Sequence, residues 1–566
     1  MRSSTHVVLL TTALLTASVG AAAQAPPPPA GAPPAAPPPP VHAAAPPAPP
    51  APAAAVTLQV TTPTVLVPTA PAAPPAPPPP PPPPPVVVVA PLGAPAAVTV
   101  APGAPAEAAA PEEKASDPFA FADFTWLEGT NRAHKAWLDT PQFTPEILVD
   151  VNYTNSLAHP IDNTVVGSTS LSRNDEVTLS MIGVGGDFHV QNVRARIMTQ
   201  FGMRSTLVPR NDGSPMRGEF DLDSALRYIS EAYGGYHWDA MHGVNLDMGI
   251  FMSYVGLFSY DTFENWQYVP SYTSDNTPWF FNGIRLQLFP SDKFKIEPWI
   301  INGWQTYGKF NELPGFGAQI LWQPVEWFHF NSNDYLGWDT QDTPGRTRFH
   351  TDNSWEFLYY HDDSNHFIPK IATSITADFG GEQGDGVTPF HGQSGHNDYY
   401  HPASCTNANP CQQAFLSWMV YNRVWLFDSK LAWMLGGGMM DNPGRYLVLG
   451  PTGQSSPFLQ NLSTNGVQYV LPTNPFSLNP GSSFEAYDIS TGFQYMPNEL
   501  ITYDLEVFHR GSSVPYFAGH GGVSGPDGYI NCPAGTSACG TAVTAGWKSD
   551  LVKSDNRIIA AMMVRF

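Results

Sequence analysis

Residues 243–255 read GVNLDMGIFMSYV, and the character of the side chains alternates along this stretch. The even-numbered residues from Val244 to Tyr254 are all apolar, whereas Asn245 and Asp247 between them are polar. A period of two places successive side chains on opposite faces of a β-strand. The same alternation occurs in residues 192–201, 284–288 and 346–357. The sequence therefore predicts an all-β chain.

The segments between these strands alternate in length. Short links lie near residues 187–191, 238–243, 289–293, 323–326, 361–367, 428–430 and 496–499. Longer, polar segments lie near residues 157–175, 204–224, 258–280, 308–315, 337–346, 380–411, 437–483 and 511–552. Seven short and eight long connections join about sixteen strands, with both ends of the chain on the short-link side. This pattern is typical of a transmembrane antiparallel β-barrel, and a soluble sandwich has no reason to show it.

The last residues of the chain favour the same architecture. One face of the final segment is apolar and is opposed by Arg557 and Arg565. The apolar face consists of Ile558, Ala560, Met562, Val564 and Phe566. A closing strand that ends in an aromatic residue is similar to the signal that the outer-membrane barrel assembly machinery recognises. We therefore expect this machinery and outer-membrane lipid to be partners of the chain.

The amino-terminal part of the chain differs from the rest. Arg2, the apolar stretch from Val7 to Val19 and the small residues Ala21–Ala23 predict a signal peptide over residues 1–23, and the apolar stretch is too short for a membrane anchor. Residues 24–117 are rich in Pro and Ala and contain no aromatic residue, which predicts a disordered periplasmic leader. The leader either threads the peptidoglycan layer or is an unconstrained segment. Residues 118–142 form a lead-in, with a short helix or a plug as options, and residues 143–566 form the barrel.

Composition narrows the function classes. The 566 residues carry a net charge of -22, which excludes a basic nucleic-acid binder. Only 13% of the residues are charged, against about 25% in an ordinary soluble protein. A low charge content is expected of a barrel whose outer face contacts lipid.

The segment from Gly249 to Ser354 resembles the OmpL-like β-barrel porin family of bacterial outer membranes. The resemblance is carried by IFMSY at 250–254, NTPWFFNG at 276–283, IEPWIINGWQ at 296–305 and PGRTRFHTDN at 344–353. FTWLEGTNR at 124–132 looks like the start of the family's sequences. The resemblance spans most of residues 120–566 and implies a barrel that passes small hydrophilic solutes or ions by diffusion.

Polar side chains on the inner face of such a barrel are expected to line the pore, because isolated charges are costly to bury. The candidates are Arg194, Arg196, Arg204, Asp247, Arg285, Glu297, Arg346, Arg348, Asp352, Asp504 and Glu506. Arginines on one wall that face carboxylates on another would set a transverse field and select solutes by charge. The alternative is that these residues form internal ion pairs that brace a wall. The net charge favours a modest preference for cations.

The four cysteines fall in two long connections. Cys405 and Cys411 form one close pair and Cys532 and Cys539 the other, which predicts two local disulfides in an exported chain. Zinc binding is a less favoured interpretation of the first pair, because the two cysteines do not form a Cys-x-x-Cys motif. No segment matches a calcium loop, and we expect neither a metal nor a cofactor.

Catalytic motifs are absent from the sequence. It contains no Gly-x-Ser-x-Gly, His-Glu-x-x-His or Gly-x-Gly-x-x-Gly pattern. Residues 303–309 fit the spacing of a phosphate loop, but Phe310 stands where a Ser or Thr should follow. We therefore expect a porin and no enzyme. The alternative is a barrel that serves as a platform for adhesion or ligand binding by its long loops. Association into homo-oligomers through one lipid-facing wall is also open.

Overall fold

The architecture is described from a computed structural model. The description covers residues 116–122, 125–127, 136–212, 214, 218–340, 343–394, 405–451, 476, 480–523 and 549–566. The predicted signal peptide, nearly all of the predicted leader and the pair Cys532 and Cys539 lie outside these residues.

Within the described residues, sixteen long strands form a closed barrel. They are β1 Phe143–Ser156, β2 Val177–Val190, β3 Val193–Thr199, β4 Ile229–Trp238, β5 Val244–Met252, β6 Phe280–Ser291, β7 Phe294–Ile301, β8 Gly315–Val325, β9 Phe328–Gly337, β10 Thr347–His361, β11 Lys370–Gln383, β12 Ala414–Leu426, β13 Leu431–Asn442, β14 Phe484–Tyr495, β15 Ile501–Ser512 and β16 Ser554–Arg565. Each strand pairs antiparallel with the next, and β16 closes the barrel against β1. The predicted fold class, strand count and alternation of short and long connections are confirmed.

The two faces of the strands differ as the alternation predicts. On β9, Asn331, Asn333 and Tyr335 are buried in the barrel interior, whereas Leu336 faces outward. On β16, Ile559 is buried and Ile558 is 44% exposed. The predicted apolar face of β16 therefore lies on the outer surface, and its recognition by the assembly machinery stays a prediction.

The long connections carry the helices. These are α1 Arg204–Leu207, α2 Leu222–Leu226, α3 Tyr272–Asp275 and a 3-10 turn at Val208–Asn211. None of the helices in the described parts of the chain is both long and apolar enough to cross a membrane. Two small sheets also form in long connections, one from Val387–Thr388 with Cys411–Gln412 and one from Phe517–Ala518 with Leu551–Val552.

The lead-in lies against the rim of the barrel that carries the short turns. The amide of Phe119 donates to the carbonyl of Asp292, in the turn between β6 and β7 (2.7 Å). Trp126 is fully buried, in a cluster that includes Trp425 of β12. Trp137 packs against the C-terminal Phe566, with ring centroids 6.1 Å apart. The described residues of 118–142 form turns, and none of them is helical.

Candidate pore interior

The connection between β5 and β6, residues 253–279, folds into the barrel and is called the inserted loop below. The Tyr268 hydroxyl donates to Asp150 Oδ1 on β1 (2.7 Å). The amide of Val269 donates to Glu506 Oε2 on β15 (3.2 Å). Most of the loop is buried. It crosses from β5 to strands on the other side of the barrel, and the parts of the interior on its two sides are called the two halves below.

On the β1–β8 side of the inserted loop lies a cavity of ≈ 630 Å³, which we call the vestibule. Its charged lining comprises Glu146, Asp187, Arg196, Glu231, Glu264, Arg285, Lys295, Glu297 and Arg565. Five carboxylates and four cationic groups therefore surround the same space. Polar side chains at this density favour a water-filled cavity, since an unpaired charge away from water is costly.

Arg196 on β3 holds three carboxylates at the vestibule wall. Its guanidinium donates to Glu146 Oε2 on β1 (2.8 Å), Asp187 Oδ2 on β2 (2.9 Å) and Glu231 Oε2 on β4 (2.5 Å). The Arg196 side chain is only 17% exposed. A planar guanidinium suits several carboxylates at once, so Arg196 ties four neighbouring strands together and offsets their negative charge.

A second group of charges crosses β3 to β6. Arg194 and Arg285 both contact Asp247, at 3.3 Å and 2.9 Å. Gly235 on β4 lies in register between Arg194 and Asp247. A Cβ at Gly235 would lie 2.0 Å from Asp247 Oδ1, so the ion pair needs the space that this glycine leaves. The Arg285 guanidinium also lies over the ring of Tyr233, 4.6 Å from its centroid.

On β6, β7 and β8, charged and uncharged polar side chains form a hydrogen-bond network along the same wall. Lys295 Nζ donates to Glu297 Oε2 (2.8 Å) and to Gln319 Oε1 (2.6 Å). Gln287 Nε2 donates to the same oxygen of Glu297 (2.7 Å). Taken with the Arg196 and Asp247 groups, the geometry matches the second alternative of the sequence analysis, in which ion pairs brace the wall. Arg196, Arg285, Lys295 and Glu297 line the vestibule, whereas Arg194 and Asp247 are not part of its lining.

On the other side of the inserted loop, the interior carries buried ion pairs, such as Arg510 with Asp275 at 2.7 Å, and also carboxylates with few donors. Asp352 and Asp378 face each other in register on β10 and β11, and Asp504 and Glu506 lie two residues apart on β15. All four are buried. Neither oxygen of Asp378 or of Asp504 receives a hydrogen bond from the described residues. None of these four residues lines the vestibule.

Besides Arg194, three other predicted pore-lining arginines are not part of the vestibule lining. Arg204 begins α1, is fully buried and pairs with Asp150 at 3.3 Å. Arg348 on β10 pairs with Glu382 at 2.8 Å, and Arg346 just before β10 contacts the same residue at 3.5 Å. These ion pairs lie at the end of the barrel that carries the long connections.

Several residues of the vestibule were not among the sequence candidates. They are Glu146, Asp187, Glu231, Glu264, Lys295 and Arg565. The alternation could have identified Lys295, which shares one strand face with Glu297. Glu231 lies on β4, where successive glycines weaken the pattern. The position of Glu264 depends on the inserted loop, for which a local pattern offers no signal.

Cys405 and Cys411 form a disulfide in the connection between β11 and β12, with an S–S distance of 2.11 Å. This pairing agrees with the prediction for the first cysteine pair. No cluster of three or more His, Cys, Asp or Glu side chains suited to a metal occurs in the described ranges.

A closed sixteen-strand antiparallel barrel with an apolar outer face and a charged interior defines a transmembrane channel of the outer-membrane type. Residues 143–426 match the model of the family described as "Putative beta-barrel porin-2, OmpL-like". The chain belongs to this family and is an outer-membrane porin rather than an enzyme. A search of curated protein sequences finds no significant match.

Solved structures of similar architecture come from several bacteria. The outer-membrane channel DcaP of Acinetobacter baumannii aligns with a TM-score of 0.40 and 12% identity, over 76% of this chain and 100% of its own. An anion-selective porin from Comamonas acidovorans aligns with a TM-score of 0.39 and 9% identity, over 75% and 99%. OmpT of Vibrio cholerae, in a trimer form, aligns with a TM-score of 0.38 and 8% identity, over 76% and 100%.

Proposed function

We propose that solutes cross the barrel through the vestibule, between the inserted loop and the wall formed by β1–β8. The observation that carries this proposal is the cavity of ≈ 630 Å³ with charges of both signs on its lining. Small hydrophilic solutes suit such a space, because its ionised groups exchange hydrogen bonds with water and with polar solutes. The inserted loop sets the size limit.

The proposed selectivity is a modest preference for cations. Glu146, Asp187 and Glu231 all pair with Arg196, and Glu146 also pairs with Arg565 (2.8 Å), so three carboxylates face two guanidinium groups at this part of the wall. A passing cation gains from this excess, whereas a passing anion is repelled. Lys295 and Arg285 reduce the effect further along the path, which is why the preference is modest.

Single-channel recording of the purified full chain tests both points. We expect defined conductance steps and, in a gradient of potassium chloride, a reversal potential of the sign given by cation preference. A clear preference for anions would contradict the proposed selectivity. Absence of defined steps would contradict the proposed path and would favour the alternative in which the barrel is a platform for its long loops.

We also propose that the lead-in closes the second half of the interior on the periplasmic side. Trp126 is buried among Trp266 of the inserted loop, Trp425 and Met496. The indole of Trp266 donates to the carbonyl of Leu127 (2.9 Å). Lead-in and inserted loop thus share one apolar cluster, and burial of two tryptophans gives a stable closure.

The remaining predictions concern the ends and the assembly of the chain. We propose that residues 1–23 are removed on export, that residues 24–117 lie in the periplasm, where they are able to reach the peptidoglycan layer, and that the protein forms a homo-oligomer. Mass spectrometry of the mature protein from outer membranes tests the first point, since it should begin at Gln24. A mature chain that retains residues 1–23 would contradict it.

A further inference from the structure

Four polar side chains interrupt the apolar outer face of β9 and β10, and together they are called the polar patch. The patch consists of Ser332, Asp334, Thr351 and Asn353. Register places Ser332 beside Asn353 and Asp334 beside Thr351. All four lie on the outer face, since the residues between them, such as Asn333 and Asp352, point into the barrel and are buried.

The polar patch lies at the depth of the lipid. The next pair toward the short-turn rim is Phe330 with Trp355, and the next pair toward the long connections is Leu336 with Phe349. Large apolar side chains therefore border the patch on both sides. Asp334 is six residues beyond the start of β9, which corresponds to about 15 Å above the rim for a tilted strand.

Lipid leaves part of the polar patch without partners. Ser332 Oγ donates to Asn353 Oδ1 (2.7 Å), and Asn353 Nδ2 donates to Thr351 Oγ1 (3.0 Å). The Asp334 side chain is exposed, and its carboxylate forms no hydrogen bond or ion pair with the described residues. Hydrocarbon offers no donor to a carboxylate, so a charged residue on the lipid face destabilises a barrel.

Away from the strand ends, the outer face of the described strands carries no carboxylate other than Asp334. Asp441 and Glu485 also face outward, but each lies one residue from the end of its strand, beside the long connections. The pair Thr373 and Asn422 on β11 and β12 is polar but uncharged. The opposite wall at the depth of the patch carries Ile147 and Val184 in register, both apolar and exposed. The polar patch therefore marks one wall of the barrel.

We propose that the polar patch is the contact surface for a second copy of this chain, so that the homo-oligomer forms through the β9–β10 wall. Copies related by an axis along the membrane normal present the same residues at the same depth. Each patch offers hydroxyl and amide donors as well as a carboxylate acceptor. The neighbouring copy then supplies donors to Asp334 in a setting that excludes lipid.

This inference rests on the proposed function only in taking the barrel to lie in the outer membrane. The test is the oligomeric state of the full chain extracted from outer membranes in mild detergent, measured by sedimentation. In Ser332→Trp a bulky ring covers the patch but suits lipid, and Val184→Trp places the same ring at equal depth on the opposite wall. Asp334→Leu removes the carboxylate without adding bulk, and leucine is compatible with a folded barrel in lipid.

We expect the wild type and Val184→Trp to sediment as oligomers of this chain alone, and Ser332→Trp and Asp334→Leu to sediment as monomers. A monomeric wild type, oligomers that persist in both patch variants, or dissociation by Val184→Trp would overturn the proposal. Recovery of the wild type with a different protein, or with lipopolysaccharide alone, would also overturn it. A patch-dependent oligomer that gives no conductance steps would support this interface and overturn the proposed function.

Discussion

The two halves of the barrel interior treat charge in different ways. In the half that contains the vestibule, cations lie beside carboxylates, as in the cluster of Arg196 with Glu146, Asp187 and Glu231. In the other half, Asp378 is buried without a hydrogen-bond donor among the described residues. Exposure to the vestibule allows ionised side chains to stay charged, whereas burial disfavours the charged form. If solutes pass through the vestibule as proposed, the inserted loop and the lead-in determine which inward-facing residues contribute to transport.

The largest expected effect on conductance comes from opening the second half of the interior, which we propose is closed by the lead-in and is called the closed half below. Trp126→Ala removes the buried ring that joins the lead-in to the inserted loop, and a substitution of this kind costs about 3–5 kcal/mol. We expect the lead-in to detach and the single-channel conductance to rise, because a second path then adds to the first. Trp327→Ala is the matched control, since Trp327 is 54% exposed on the short turn between β8 and β9 and is not part of the vestibule lining. Equal conductance of Trp126→Ala and the wild type would contradict the proposal that the lead-in closes this half.

Removal of Arg196 tests whether the charges of the vestibule act on passing ions. Arg196→Gln removes the cation shared by three carboxylates, of which Glu146 keeps its pair with Arg565, and breaking such a partly buried cluster costs about 3–5 kcal/mol. We expect a lower unfolding temperature and a reversal potential shifted toward stronger cation preference. Arg173→Gln serves as the control, because both side chains of its pair with Glu176 are more than a third exposed and such a pair contributes about 0–1 kcal/mol. An unchanged reversal potential in Arg196→Gln would place the solute path elsewhere.

Two adjacent glycines on β4 test the ion pairs of the same wall, and we expect a smaller effect on stability than for Arg196→Gln. A Cβ at Gly235 meets Asp247 Oδ1, whereas a Cβ at Gly234 has nothing within 4 Å. We expect Gly235→Ala to displace Asp247 from its two arginines and to destabilise the barrel by about 1–3 kcal/mol, with Gly234→Ala close to wild type. Thermal unfolding in detergent measures both variants. Similar unfolding temperatures for the two variants would show that the wall tolerates the displacement.

The sequence predicts the barrel well because its signals are local. Alternation along β5 and the lengths of the connections depend on neighbouring residues, and both agree with the structure. The face of Arg196 or Asp352 also follows from alternation. Whether such a residue reaches the vestibule does not follow from it, because that depends on contacts such as Tyr268 with Asp150, which are 118 residues apart. Arg204 illustrates the limit, since it is buried in α1 against Asp150.

The smallest effect on transport is expected in the closed half. Asp352 and Asp378 face each other in register, and Asp352 Oδ2 and both oxygens of Asp378 lack donors among the described residues. Asp378→Asn supplies an amide donor of nearly equal shape and removes one buried carboxylate. Since a hydrogen bond to a charged group contributes about 1.5–3 kcal/mol, we expect a higher unfolding temperature.

The reversal potential and conductance of Asp378→Asn should equal those of the wild type, because the inserted loop separates this site from the vestibule. Asp363→Asn is the control, as that side chain is 84% exposed on a short turn and should change neither property. If Asp378→Asn instead lowered the preference for cations as Arg196→Gln raises it, the two halves would act as one pore. Charge in the closed half would then be felt by passing ions, and the distinction between the halves would fail.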